Sequence, residues 1–429
     1  MTRKYRLETK ALHAGAVIDE TTSRGVPVHR TTSYQFRSTE HAANLFALKE
    51  LGNIYTRLMN PTHDVLEKRV AELEGGAAAL AVASGTSAIF YTIINVCGLG
   101  DEVVASKYLY GGTYTMFNDI LPEMGITVRF VDPSSVESIE EGITDKTRML
   151  FAETIGNPGL DVANMAILSA VAEKHQIPLA IDSTFTTPYL FRPIEHGAHI
   201  VIHSLTKWMG GHGTSIGGIV VDSGTFNWQN EKFRLYNAPE NSYHGLRFAH
   251  DIGDLVPVAF IIRMRIIPLR NLGACTSPDN AWMFLQGIET LALRMQRHCD
   301  NAMKVAEYLK EHDGVTWVRY PGLSDDPSHE LAKKQFENGF GSMVVFGIRG
   351  GRDTGEGFIN SLELFSHVAN VGDAKSLAIH PASTTHSQMS EEQQEESGIS
   401  PDMVRLSVGI EHIDDIIEDI EEALKKAGV

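Results

Sequence analysis

The chain reads as an α/β protein with a mostly parallel central sheet and a smaller α+β domain towards its C-terminus. Three observations predict this. From about residue 77 to residue 222, short apolar runs alternate with helix-like stretches, as in a sheet whose parallel strands are joined by crossover helices. A strong helical pattern then begins near Asn280 and runs far enough to connect two domains. The length, 429 residues, is more than one hydrophobic core commonly serves.

Taken in order, residues 1–60 lack a core pattern. They carry turn formers and Pro27 in IDETTSRGVPVHRTTSYQF and read as an extended arm held by something else. Pro61 opens a helix, PTHDVLEKRVAELEG, with Val65, Leu66, Val70 and Leu73 on one face and Gly75–Gly76 as its stop. ALAVAS is a strand, and SGTSAIFYTIINVC a helix opened by Ser84. DEVVAS, ITVRFVD, TRMLFAE, IPLAIDS and AHIVIHS read as further strands. Helices are expected around Tyr114–Met124 and over ANMAILSAVAEKHQ. The glycine-rich GGHGTSIGGIVVD descends into a last strand of this sheet. Residues 225–250 form a long loop or short helices. Beyond about 315, GVTWVRY, GSMVVFGIRG and VRLSVGI are strand-like, and HIDDIIEDIEEALKKAG is an amphipathic closing helix. The expected division is an arm over 1–60, a large domain over 61–285 and a C-terminal domain over 286–429.

Composition narrows the function. A net charge of −17 repels nucleic-acid backbone and anionic membrane surface, and no basic stripe or zinc-finger spacing offsets it. Cys97, Cys275 and Cys299 form no Cys-x-x-Cys pair, so a reducing cytoplasm is the simplest setting. The start, MTRKYRLETKALHAG, has no continuous apolar stretch of the secretory kind.

Several residues can carry chemistry. Lys207, in HSLTKWMGGHG, follows an apolar strand and precedes glycines. A lone lysine there is commonly just solvated; joined to an aldehyde it becomes an exchangeable anchor for an electron-sink cofactor. Ser204 and Thr206 flank it and can hydrogen-bond a phosphate. Asp182 ends the strand in PLAIDSTFTTPY, facing the crevice where α/β sheets bind ligands, and can keep a pyridine nitrogen protonated. It could equally cap a turn. Ser84, Gly85, Thr86 and Ser87 offer amides at a helix start to a phosphate, although Ser-Gly-Thr caps many plain helices. Arg57 can fork onto a phosphate beside the hydroxyl of Tyr55. Tyr110, in YLYGGTY, can stack on a flat ring or pack in a core. Arg405, in MVRLSVGIE, is a fork for an α-carboxylate, with a salt bridge to a nearby glutamate as the competing reading. Ser383, Thr384, Thr385 and His386 form a polar turn that could line a pocket. No GxGxxG fingerprint or nucleotide P-loop is present.

Taken together, YTR-x-x-NPT, SGTSA, YGGTY, ETIGNP, DSTFTTP, HSLTKWMGGHG and HPASTTHS, in this order, resemble the Cys/Met-metabolism family of pyridoxal-phosphate enzymes over nearly the whole chain. The resemblance implies an aspartate-aminotransferase-like (fold type I) large domain, and an N-terminal arm that reaches a partner subunit. It also implies a homotetramer built from active dimers. It implies pyridoxal 5'-phosphate bound covalently to Lys207, which then shuttles protons. Asp182 would pair with the pyridine nitrogen; Ser84, Gly85, Thr86, Ser204 and Thr206 would hold the phosphate, joined by Tyr55 and Arg57 from the partner subunit. Tyr110 would stack on the ring and help move protons, Asn157 would touch the ring oxygen, and Glu153 would lie close by. Arg405 would receive the substrate carboxylate, assisted by Asn157 and the backbone near Val371, with Tyr55 and Tyr110 also at the substrate.

Within the family, VHRTTSYQF, the segment from Ser38 to Gly76 and FNWQNEKFRLYNAPENSYHG resemble one subgroup, and that resemblance implies γ-replacement: acetate of O-acetyl-L-homoserine exchanged for sulfide or methanethiol in a cytoplasmic transferase. Rival readings are a cysteine-using synthase, a succinyl-ester enzyme, a γ-lyase and a noncatalytic relative. Gly112 stands where methionine γ-lyases commonly have a cysteine, which weakens the lyase reading.

Overall fold

The computed structural model describes residues 5–385, 387, 390, 392, 394 and 398–429. Its larger sheet comprises β1 (Ala78–Val82), β2 (Glu102–Ser106), β3 (Thr127–Val131), β4 (Thr147–Glu153), β5 (Leu179–Asp182), β6 (Ile200–Ser204) and β7 (Gly218–Asp222), in the order β1-β7-β6-β5-β4-β2-β3. β6, β5, β4, β2 and β3 pair in parallel. β7 runs antiparallel between β1 and β6. It is the glycine-rich segment's strand, inserted inside the sheet rather than added at its edge.

Strand alternation feeds two cores. Leu80, Val82, Ala180, Ile200, Ile202 and Val220 face one layer, and Ala79, Ala81, Ile181, Val201, Ile219 and Val221 the other. A sheet covered on both faces has no polar side to present, which is why its strands read as continuous apolar runs.

The smaller sheet joins β8 (Val315–Arg319), β9 (Met343–Ile348), β10 (Ser366–His367), β11 (Leu377–Ile379) and β12 (Met403–Ser407), in the order β10-β11-β12-β9-β8. All its pairings are antiparallel except β10 with β11. The closing helix, Ile413–Ala427, buries Ile416, Ile420, Ala423 and Leu424 against it.

Three expectations change. The first sixty residues contain two helices, α1 (Leu7–His13) and α2 (Thr39–Phe46). α1 is seated on the chain's own α3 (Pro61–Glu74): Arg69 Nε donates to the Ala14 carbonyl, and Lys10 Nζ to that of Glu72. A seven-residue helix that buries only Ala11 leaves too little periodicity to read. Second, the pattern from Asn280 is two helices, Pro278–Glu289 and Leu291–Glu311, broken at Thr290. Third, the helix expected around Tyr114–Met124 begins earlier, at Gly111, and tightens and loosens along its course. Among the described residues no helix is long and apolar enough to cross a membrane.

Candidate active site

β1, β4, β5 and β6 point the same way, and the chain leaving their C-terminal ends lines one cavity of about 220 Å³. Crevices of this kind are where open α/β sheets bind ligands. β1 runs into Ser84, the N-cap of α4 (Gly85–Val96), whose Oγ accepts from the Ser87 amide at 3.0 Å. The turn is built for close approach. A Cβ on Gly85 would stand 2.7 Å from the Ser204 Cβ, and one on Gly218 only 2.1 Å from the Ser84 carbonyl oxygen.

β4 and β5 end on Glu153 and Asp182, which are register partners. Both carboxyls are raised above their ordinary range, chiefly by loss of water; the Asp182 charge adds to this at Glu153. The Tyr110 amide donates to Glu153 Oε1 at 2.7 Å, and the Thr184 amide to Asp182 Oδ1 at 2.9 Å. Two like charges this close in a dry place need a cation or a proton between them.

β6 ends on Ser204, whose amide donates to Thr184 Oγ1 at 2.8 Å. The following turn carries Thr206, which exchanges hydrogen bonds with Gly217, and then Lys207. Desolvation, then the charge of Arg405, lowers the Lys207 amine to about 8. Its Nζ donates to the side-chain carbonyl of Asn370.

Arg405 enters from β12, in the other sheet. Its Nη1 donates to Asn157 Oδ1 at 3.1 Å, and desolvation lowers its guanidinium to about 10. Among the described residues it pairs with no carboxylate, so the salt bridge to a nearby glutamate is not made.

Ser84, Gly85, Thr86, Tyr110, Glu153, Asn157, Asp182, Ser204, Thr206, Lys207, Val371 and Arg405 therefore share one cavity. Tyr55 and Arg57 do not line it. Tyr55 is exposed, with the Arg57 guanidinium 5.1 Å over its ring, and Arg57 Nε is buried without a partner. The polar turn is elsewhere as well: Ser383 and Thr384 close back onto His380, and His386 lies outside the described residues. Sequence reasoning passed over Thr184, Phe185, Ile216 and Asn370, which also line the cavity. Thr184 was within reach, two residues beyond Asp182 in the same motif. Asn370 carries no pattern of its own and is 163 residues from the lysine it touches.

The donor set fits a phosphorylated pyridine aldehyde. A desolvated amine, a buried carboxylate pair that calls for a cationic nitrogen, hydroxyls and helix-start amides, and a guanidinium with no counter-ion among the described residues lie within one small space.

Comparison with known proteins gives the same family. A sequence model described as Cys/Met metabolism PLP-dependent enzyme matches residues 8–425. O-acetyl-L-homoserine sulfhydrylase of Leptospira meyeri is 56% identical over 99% of this chain and 98% of its own. Homocysteine synthase of Schizosaccharomyces pombe is 48% identical over 98% of both. A crystal structure from Campylobacter jejuni, assigned as an O-acetylhomoserine (thiol)-lyase and containing a pyridoxyl-lysine phosphate residue, superposes with a TM-score of 0.94. It is 40% identical, over 98% of this chain and all of that one. On this match, nearly end to end, the chain belongs to the Cys/Met-metabolism family of pyridoxal-phosphate-dependent enzymes.

Proposed function

We propose that the chain exchanges the γ-acetate of O-acetyl-L-homoserine for sulfide or methanethiol, releasing homocysteine or methionine. The observation that carries this is the pairing, in one cavity, of a desolvated lysine amine with a guanidinium that meets no carboxylate among the described residues. That pair matches the two ends of an α-amino acid. The names of the full-length relatives supply the ester and the sulfur donor.

When bound, pyridoxal phosphate supplies an electron sink for the pair left by the substrate's α-proton. The rest falls to the chain. Asp182 holds the proton on the pyridine nitrogen by charge pairing, and Glu153 beside it keeps that end of the cavity acidic. Ser84, Gly85, Thr86, Ser204 and Thr206 hold the phosphate through hydroxyls and amides. The two cations that line the cavity, Lys207 and Arg405, are taken up by the cofactor's aldehyde and the substrate carboxylate, which leaves neither for the phosphate. The missing positive charge is supplied by Arg57 of a second copy, with Tyr55 adding its hydroxyl. The active unit is accordingly a dimer, and the assembly a tetramer of two such dimers, working in the cytoplasm. Tyr110, which lines the cavity, would stack on the ring. Arg405 and Asn157, with the backbone at Val371, fix the substrate carboxylate, which orients the α-proton towards Lys207. Its amine, lowered to about 8, is close to the best compromise for a base near neutral pH.

The test is a matrix of acetyl and succinyl esters of homoserine against sulfide, methanethiol and cysteine. Replacement with the acetyl ester and sulfide or methanethiol is expected. Turnover with cysteine alone would point to a cystathionine-forming enzyme instead. The purified protein is expected to be yellow, with borohydride fixing the colour-bearing group on Lys207. A colourless protein giving no such adduct would remove Lys207 from its role.

A further inference from the structure

Asn370 belongs to no strand or helix, yet it is firmly mounted. Two residues on, the Gly372 amide donates to Ser407 Oγ on β12 at 2.9 Å, and the Ala374 amide donates to the Gly211 carbonyl at 2.9 Å. Gly372 has φ +79°, and a Cβ there would stand 2.7 Å from the Trp208 amide nitrogen. The segment is thus pressed against the backbone next to Lys207 and tied both to β12 and to the turn that follows the lysine. Its side-chain carbonyl accepts from Lys207 Nζ, and among the described residues no carboxylate pairs with that amine.

The choice of an amide has a chemical meaning. A carboxylate at this place would favour the ammonium form and blunt the lysine as a base. An amide carbonyl accepts from either protonation state without adding a charge.

We propose that Asn370 is a positioning residue for Lys207: whenever the amine is not joined to the cofactor, the Asn370 carbonyl holds it in one orientation, with its lone pair turned to the cavity. This rests on the reading above that Lys207 carries the cofactor and moves the α-proton. The other charged or titratable groups that line the cavity with the amine are Arg405 from β12, Asp182 from β5, Glu153 from β4 and Tyr110. They are common to every variant below.

The experiment follows the loss of the α-proton of L-norleucine in heavy water by NMR, using the holoenzyme at several pH values. This amino acid has no leaving group, so the proton step is read alone. Asn370→Ala is expected to slow the exchange by roughly 100-fold, the usual cost of a misplaced reacting group. Asn370→Ser, which keeps an acceptor, is expected to recover part of the loss. Asn370→Asp is expected to move the acid limb of the profile up by about 1–3 pH units. In the cofactor-free chain, labelling of Lys207 by acetic anhydride, followed by mass spectrometry, is expected to shift the same way in Asn370→Asp. That measurement does not depend on turnover. Parental exchange in Asn370→Ala would overturn the proposal, as would an unmoved pH profile in Asn370→Asp. The second result decides alone if the alanine variant does not fold. A parental protein with no reducible adduct on Lys207 would instead sink the cofactor reading, and this inference with it.

Discussion

Lys207, Asp182 and Arg405 come from a turn, a strand end and a separate sheet, and each is tuned by what surrounds it. Withdrawal from water lowers the amine and the guanidinium and raises the carboxyl. Arg405 is the clearest case for a direct test, because its desolvation is not offset by any carboxylate of the described chain. Arg405→Ala is expected to cut kcat/KM for the amino-acid substrate by at least about 30-fold, the worth of ~2 kcal/mol for a charge-assisted contact. The protein should remain yellow. Steady-state kinetics beside the visible spectrum checks both parts, and unaltered kcat/KM would remove Arg405 from the substrate. At this scale much of the candidate site was legible in the sequence, since Lys207, Asp182 and the Ser84–Thr86 turn all sit just where apolar strands end. Asn370 was not. Its importance comes from a contact across 163 residues, and an asparagine in a patternless segment announces nothing.

Among the elements, β7 has the most exacting surroundings. It lies antiparallel between β1 and β6, so its first residue, Gly218, is pressed against the turn into α4. A methyl group at Gly218 would meet the Ser84 carbonyl at 2.1 Å and the Gly85 amide at 2.8 Å. Gly218→Ala is therefore expected to cost about 1–3 kcal/mol by overpacking and to weaken cofactor retention roughly tenfold by shifting the amides that hold the phosphate. Thermal unfolding and cofactor titration measure the two effects; a variant with parental values for both would show that the turn yields freely. The strands of the large sheet were legible because burial on both faces makes them plain apolar runs. The helix Ala259–Met264 and its continuation to Leu272 were not, because Pro257 before it and Pro268 within it interrupt the 3.6-residue period. α1 and α2 escaped for a different reason, being too short to show a period at all.

At the scale of the whole molecule, Tyr55 and Arg57 are outside the cavity, although the phosphate site proposed there calls for a cation. If a second copy supplies them, two defective chains can repair each other. Lys207→Ala and Arg57→Ala subunits, each nearly inactive alone, are expected to regain up to about a quarter of parental activity when unfolded together and refolded, as the statistics of random pairing allow. Recovery no greater than the sum of the separate preparations would show that each chain completes its own site. A second feature acts within one chain. Trp208 adjoins the lysine, and its Nε1 donates to Ser342 Oγ at 2.8 Å, just ahead of β9. Its carbonyl accepts from Arg294 Nη1 at 2.7 Å, and Gly372 is packed against its ring. The indole is a rivet through the seam that separates the amine from the guanidinium. On the proposed reading, their spacing is the jaws of a locked calliper: it would gauge the head of the incoming molecule and leave whatever hangs beyond the α-carbon to be sorted by other walls.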